Sequence, residues 1–427
     1  MKRPARWTEW KKRIPGGLDG RRMLVISFID KCGTGLWNTS IALYFTYVSG
    51  LGVAQVGLLI GLSGAAGMAG APLAGRLADR FPVTRVLIGA QLLRAVALLA
   101  LLTTDHYGLL ILYAAIGALP DRGTNVLTKV YATRVAGPQR VRYQAINRTV
   151  GNLGWVFGGL GAAAALAVAT STAYQLLLIG NALSYVVMAA LTLRCGEPQP
   201  PAASRVAAGP TTPGVPPTRP TSPWRDRTFL LFTGSEAVLC LDDTILQVAL
   251  PLWIVHATAA PAGLAPLLLV MNSVLVVLFQ VPLARFGGST AAARRLLLPL
   301  AVLFAVGTAA LAVSALGGRA VAVSALVLAA LALTFVEILH AIASWELSVA
   351  LAPDDAQGAY LGVHGLAVAT QRFGGPLLLT GVIATGPLAW LVLGAGLAAM
   401  CGGQHRVVAR GLEKKSLSVP TVTVSEH

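Results

Sequence analysis

Long apolar runs dominate the chain, and short polar or turn-rich stretches cut them apart. Each run is about twenty residues or a little more, the length at which a helix crosses the hydrocarbon core of a bilayer. The runs predict helices over 23–48, 54–74, 86–102, 107–132, 143–168 and 172–193. They resume over 228–255, 264–283, 296–316, 321–350 and 360–380, and a last run ends near Met400. In lipid every backbone polar group must be bonded within its own segment, so such runs are helices and the breaks lie at the membrane faces. The expected fold class is therefore all-α and polytopic, with about twelve spans.

The longest break divides the spans into two sixes. Residues 194–227 are rich in Pro, Ala, Thr and Arg and keep no apolar period. They read as a flexible linker between an N-terminal bundle (23–193) and a C-terminal bundle (228–402). Residues 1–22 are basic and carry Trp7 and Trp10. They read either as an interfacial segment on the headgroups or as a disordered tail. Residues 403–427 form a short basic tail. The halves also echo each other. Ile41-Ala42-Leu43 aligns with Val248-Ala249-Leu250, Pro72-Leu73-Ala74 with Pro282-Leu283-Ala284, and Phe157-Gly158-Gly159 with Phe373-Gly374-Gly375, at offsets of 207, 210 and 216 residues. Each triplet is weak alone; three in order support two matching halves.

Composition agrees with a membrane chain. Hydrophobic residues make up 55% and charged residues 12%, about half the charged share of a soluble domain. The net charge of +16 would suggest nucleic acid in a soluble protein. Here the basic residues gather in alternate loops, so topology explains them better: cytoplasmic loops carry Lys and Arg. Both termini are then inside, in the cell membrane, and Arg319 is the clear outer exception. Cys32, Cys195, Cys240 and Cys401 are scattered without ligand spacing, so neither a disulfide nor a metal site is expected. No Gly-x-Ser-x-Gly, phosphate-binding P-loop or His-Glu-x-x-His is present, so no enzyme and no cofactor are expected.

Between the second and third runs lies Gly75-Arg76-Leu77-Ala78-Asp79-Arg80-Phe81-Pro82-Val83-Thr84-Arg85, read as a basic, turn-rich hinge on the cytoplasmic side. It resembles the signature loop between helices 2 and 3 of the major facilitator superfamily of transporters, Gly-x-Leu-Ala-Asp-Arg-x-Gly-Arg-Arg/Lys. Gly75, Leu77, Ala78, Asp79 and Arg80 match in place. Pro82, Val83 and Thr84 depart from the pattern, and Arg85 restores a charge one position late. The resemblance implies two six-helix bundles with pseudo-symmetry, helices 1, 4, 7 and 10 around a central cavity, and a gating role for Gly75, Asp79, Arg80 and Arg85. Asp79 would then face a helix N-terminus, that of helix 11. A purely topogenic role for the arginines is the plain alternative.

Charges inside spans are costly and are functional candidates by default. Asp30 and Lys31 lie in helix 1; Asp121, Arg122 and Lys129 in helix 4; Glu236, Asp242 and Asp243 in helix 7; Glu337, His340 and Glu346 in helix 10; Arg94 and Arg372 in helices 3 and 11. Helical spacing puts Glu236, Cys240, Asp243 and Gln247 on one face, Asp121 with Asn125 and Thr128 on another, and Asp30 with Thr34 and Asn38 on a third. The candidate proton and substrate residues are Asp30, Asp121, Arg122, Asn125, Glu236, Asp243, Gln247 and Glu337. Arg122 pairs either with Asp121 or with Asp30, and Arg94 and Arg372 could pair with cavity carboxylates. Glu346 and Lys129 read as snorkelling ends, and His340 and His364 as packed residues. Gly151, Gly154, Gly158, Gly159 and Gly161 in helix 5 resemble the family's antiporter motif without its proline, and close helix packing explains them equally.

The leading expectation is a monomeric, proton-coupled exporter of a drug-like or secreted small molecule, with lipid and protons as its other partners. Arginine outnumbers lysine and alanine is abundant, which suggests an actinobacterial efflux carrier. A proton-coupled uptake carrier is the alternative. A membrane scaffold or receptor would call for a long soluble domain, which this sequence does not show.

Overall fold

The computed structural model describes residues 14–168, 170–198, 222–261 and 263–417. Trp7, Trp10, the middle of the linker and the last ten residues lie outside this set, as do the side chains of Asn38, Ala42 and Leu43. The described chain is helical. The first half contains α1 (Gly17–Tyr47), α2 (Val53–Met68, resumed after Ala69 as Gly70–Arg80), α3 (Val83–Thr103), α4 (Tyr107–Ala136), α5 (Arg140–Val168) and α6 (Ser171–Leu193). The second contains α7 (Arg227–Ala257), α8 (Leu264–Leu283), α9 (Thr290–Ser314), α10 (Arg319–Leu351), α11 (Gln357–Thr385) and α12 (Pro387–Leu417). Nine of these are long and apolar enough to span a membrane by composition alone. The remaining three, α1, α4 and α5, carry charges that depress their hydropathy. Among the described residues the fold is all-α, with twelve long helices in the order expected of twelve spans, and many Leu, Val and Phe side chains are exposed along them, as a lipid-facing surface requires.

Cα proximity separates two compact units. One holds the described residues through 198 together with Gln280–Pro282 and Pro353–Leu366; the other holds Ser222–Phe279, Leu283–Ala352 and the chain from Ala367. Within each, the same helix pairs pack: first with sixth, third with fourth, and third with sixth. In the first unit α1 and α5 meet through glycine. A Cβ on Gly154 would lie 2.6 Å from the Phe28 carbonyl oxygen, and one on Gly158 would strike that of Cys32. Small residues thus let two backbones approach where no hydrophobic effect drives helices together. In the second unit Trp253 Nε1 donates to the Leu311 carbonyl at 3.0 Å and to Ser314 Oγ at 3.0 Å. Its ring meets Trp390 edge-on at 5.6 Å, so α7, α9 and α12 share one buried aromatic joint.

Three boundaries differ from the sequence expectation. The hinge is not a loop of about ten residues, because Gly75–Arg80 is helical and only Phe81 and Pro82 intervene before α3. Ala74, Gly75 and Ala78 are buried, which holds the helix past the last apolar run. It ends at Phe81 (φ −124°, ψ 157°), the extended conformation that a following proline imposes. At the linker, Arg22 donates to the Arg194 carbonyl, Gly196 N–H to Asp19 at 3.2 Å, and Tyr131 to the Gly196 carbonyl at 2.9 Å, so residues 194–197 are bonded rather than loose. Finally, α12 continues through what composition reads as tail, and Gln404 within that extension is buried.

Candidate functional site

Two buried charge clusters stand out among the described residues, one in each unit. The first is centred on Arg94 of α3. Its Nη1 lies 2.6 Å from Asp30 Oδ1 of α1, and its Nη2 lies 2.7 Å from Asp121 Oδ1 of α4. Nη2 also donates to the Tyr185 hydroxyl of α6 at 3.0 Å, and the guanidinium carbon sits 4.1 Å from that ring's centroid. One planar cation therefore ties four helices. Arginine suits the task because its fork serves two carboxylates at once and its face stacks on an aromatic ring. Lys31 adds a second positive charge, 3.5 Å from Asp30 Oδ2, and donates to Asn125 Oδ1 at 3.1 Å. The two acids differ in access: the Asp30 side chain is 13% exposed and that of Asp121 38%. The cluster is formally neutral when both acids are ionised.

The second cluster joins α7, α10 and α12. His340 Nδ1 lies 3.1 Å from Asp242 Oδ2, and its Nε2 lies 3.4 Å from Glu236 Oε2. Glu236 Oε1 accepts from Gln404 Nε2 at 2.6 Å, and Oε2 accepts from Ser344 Oγ. Cys240 completes the group, with donor atoms of Glu236, Cys240 and His340 within 4.8 Å of one another. A break in α7 shapes this arrangement. The helix interrupts at Cys240 (ψ −3°) and continues through a π-helical segment, Ile245–Ala249. Pro251 explains the loosened turn: it lacks an N–H, and its ring crowds the carbonyl four residues back. Beyond the interruption at Cys240, Asp242 is buried while Asp243 and Gln247 are exposed. The single face that ideal spacing gives Glu236, Cys240, Asp243 and Gln247 is thus split. Glu337 lies elsewhere in this unit, where Oε2 accepts from Asn272 Nδ2 at 2.9 Å.

A third arrangement lies at the hinge. Asp79 Oδ1 accepts from Gly358 N–H at 2.7 Å and Oδ2 from Ala359 N–H at 2.6 Å, at the N-terminus of α11. Those N–H groups have no partner inside their helix, and the helix dipole favours an anion beside them. A Cβ on Gly75 would collide with the Gly358 carbonyl, and a Cβ on Gly362 would lie 2.7 Å from the Ala71 carbonyl oxygen. Glu197 forms a parallel cap: its carboxylate accepts from Val83 N–H at 2.8 Å and Thr84 N–H at 3.0 Å, at the start of α3. Arg80 and Arg85 are exposed beside it.

The sequence candidates are therefore brought together unevenly. Asp30, Asp121 and Asn125 share the first cluster, while Arg122 lies half-buried one residue on from Asp121. Glu236 belongs to the second; Asp243, Gln247 and Glu337 do not. Arg94, Tyr185, Asp242, His340, Gln404 and Glu197 carry the geometry and were not among the candidates chosen from spacing. Arg94 had a signal, a lone arginine in an apolar span; Gln404 and Glu197 had none, since each looks like part of a polar terminus or linker. Glu346 is buried and accepts from Thr290 at 3.1 Å, so it does not snorkel.

A family model, Major Facilitator Superfamily, matches residues 23–376. No curated protein matches the chain. Solved structures do. A bacterial homologue of the iron transporter ferroportin, in an outward-facing state, is 15% identical with a TM-score of 0.66, and the match covers 92% of this chain and 99% of that one. The proton:xylose symporter XylE is 10% identical with a TM-score of 0.64, covering 92% and 96%. The human organic anion transporter TETRAN is 15% identical with a TM-score of 0.60, covering 91% and 99%. At these identities the likeness is one of fold.

Proposed function

Because the chain belongs to the major facilitator superfamily of membrane transporters, we propose that it is a secondary carrier exchanging protons for a drug-like or secreted small molecule. The observation that carries this reading is the sharing of Arg94 between Asp30 and Asp121. Asp121 is the more exposed of the two acids and the natural point of proton entry. A proton on Asp121 cancels its charge and frees one arm of the guanidinium, while Asp30 and Arg94 remain a matched pair. The formal charge of the cluster rises by one as the proton arrives. A cationic group on the cargo would favour the same carboxylate in its ionised form, so proton and cargo would exclude each other there. Mutual exclusion at one acid is the logic of exchange, and exchange driven by an inward proton gradient is export. The carrier would sit in the cell membrane with both termini in the cytoplasm, and its glycine-lined α1–α5 contact accords with the glycine-rich helix of antiporters.

Inverted membrane vesicles acidified inside test the proposal. Addition of lipophilic cations, with ethidium as the fluorescent probe, should release protons and accumulate the probe in vesicles holding the wild-type chain. Asp121→Asn should be inserted normally and do neither. Wild-type rates from both Asp121→Asn and Asp30→Asn would show that this cluster does not couple protons to cargo.

A further inference from the structure

Buried imidazoles normally spend both ring nitrogens on hydrogen bonds, because an unmet polar atom in a low-dielectric interior is costly. His340 spends one. Its Nδ1 faces Asp242 Oδ2 at 3.1 Å, so Nδ1 carries a proton, and Nε2 carries either a second proton, as in imidazolium, or a lone pair. Nε2 is buried, has no hydrogen-bond partner, and lies 3.4 Å from Glu236 Oε2. A lone pair facing a carboxylate oxygen at that distance is repulsive unless a positive centre lies between them. The Cys240 thiol, one turn beyond Glu236 on α7, lies within 4.8 Å of both groups.

From this juxtaposition we propose that Glu236, Cys240 and His340 form a binding site for a thiophilic divalent cation of the zinc type. In a tetrahedral zinc shell, nitrogen and oxygen ligands at about 2.0 Å from the metal stand about 3.3 Å apart. The Glu236–His340 separation already has that value within 0.1 Å, at 3.4 Å. The loosest of the three donor–donor gaps is at most 4.8 Å, and a shift of about 1 Å brings it to tetrahedral spacing. The donor set selects the metal class: imidazole with thiolate suits Zn2+ and Co2+, whereas Mg2+ and Ca2+ prefer oxygen. The charges also match. On binding, the Cys240 thiol releases its proton to solvent as the metal–sulfur bond forms, and thiolate plus carboxylate neutralise the dication. The ligand set is then neutral, and the ionised Asp242 behind His340 leaves the whole cluster with a single negative charge. Two ligands are oriented from behind, His340 by Asp242 and Glu236 Oε1 by Gln404 at 2.6 Å, the second tier that metal-binding side chains use. Three protein ligands leave a fourth position for water or another ligand. This site is in the other unit from the Arg94 cluster and does not depend on the exchange reading.

Two measurements on the full-length protein in lipid nanodiscs test it. Titration with Co2+ should give a stoichiometric complex with a thiolate-to-cobalt band in the near ultraviolet, displaced by Zn2+ and lost in Cys240→Ser. Asp242→Asn should keep the band while weakening affinity roughly 10–100-fold, as loss of an orienting carboxylate does. In a chain carrying Cys32→Ser, Cys195→Ser and Cys401→Ser, Zn2+ should block alkylation of Cys240 by N-ethylmaleimide and Mg2+ should not. A band that persists in Cys240→Ser, or alkylation indifferent to Zn2+, would overturn the site and leave a shared proton between His340 and Glu236 as the positive centre.

Discussion

Arg94 and its two acids have unequal claims on stability. The guanidinium is buried and contacts Asp30, Asp121 and Tyr185, so its loss leaves the buried Asp30 with only the longer Lys31 contact at 3.5 Å. Removing one member of a buried ion pair costs about 3–5 kcal/mol because the charge left behind has no compensation. Arg94→Leu should therefore lower the melting temperature of the detergent-solubilised protein sharply, or prevent its accumulation. Asp121→Asn removes the half-exposed acid and leaves Asp30 paired, so it should melt near wild type. Equal melting of Arg94→Leu and wild type would mean that the guanidinium does not hold the cluster. Tyr185→Phe separates the two ways in which that ring serves Arg94. The hydroxyl contact at 3.0 Å goes while the stacked face at 4.1 Å remains, for a loss of about 0.5–1.5 kcal/mol.

At the scale of elements, contacts built on glycine and helix ends set the consequences. Asp79 satisfies two N–H groups at the start of α11, at 2.7 and 2.6 Å. Asp79→Asn keeps an acceptor but surrenders the charge that the helix dipole favours, worth about 0.3–1 kcal/mol at an exposed position. Membrane insertion should be unchanged and turnover slowed; unaffected turnover would reduce the contact to a structural cap. On the opposite side of the same argument, Gly158→Leu must push α1 from α5, because its Cβ alone already meets the Cys32 carbonyl. Overpacking of this kind costs about 1–3 kcal/mol and should appear as a lowered melting temperature. These contacts also mark the limit of sequence reading. Apolar length located the helices, and the Gly75–Arg80 pattern located the hinge, because both signals are local. The helix through Arg80 was not legible, since Arg76, Asp79 and Arg80 look like loop when their buried neighbours are unseen. Nor was the burial of Asp242 beside an exposed Asp243, which follows the interruption of the helix at Cys240 rather than ideal spacing.

For the molecule as a whole, three of the least apolar helices are the informative ones. α1, α4 and α5 fall outside the nine spans that composition alone identifies, and α1 and α4 hold Asp30, Lys31 and Asp121. Their charges are admissible in a bilayer because they are bonded to one another, a fact no hydropathy window contains. Sequence pairs separated by tens of residues, such as Asp30 with Arg94, become visible only when the helices are packed. Topology, by contrast, is carried by surface charge and can be argued from the helix order directly. If every helix crosses the membrane, all even-numbered helices end on one face. Arg76 and Arg80 at the end of α2, Arg134 at the end of α4, Arg194 after α6, Arg285 between α8 and α9, and Arg294 and Arg295 near the start of α9 then share that face. Arg319, at the start of α10, is on the other. The basic face should be cytoplasmic. In a chain whose native cysteines are replaced by serine, Arg319→Cys should react with a membrane-impermeant maleimide in intact cells. Arg142→Cys, exposed at the start of α5, should react only after permeabilisation. The reverse pattern would invert the orientation of every helix and, with it, the direction in which an inward proton gradient drives the cargo.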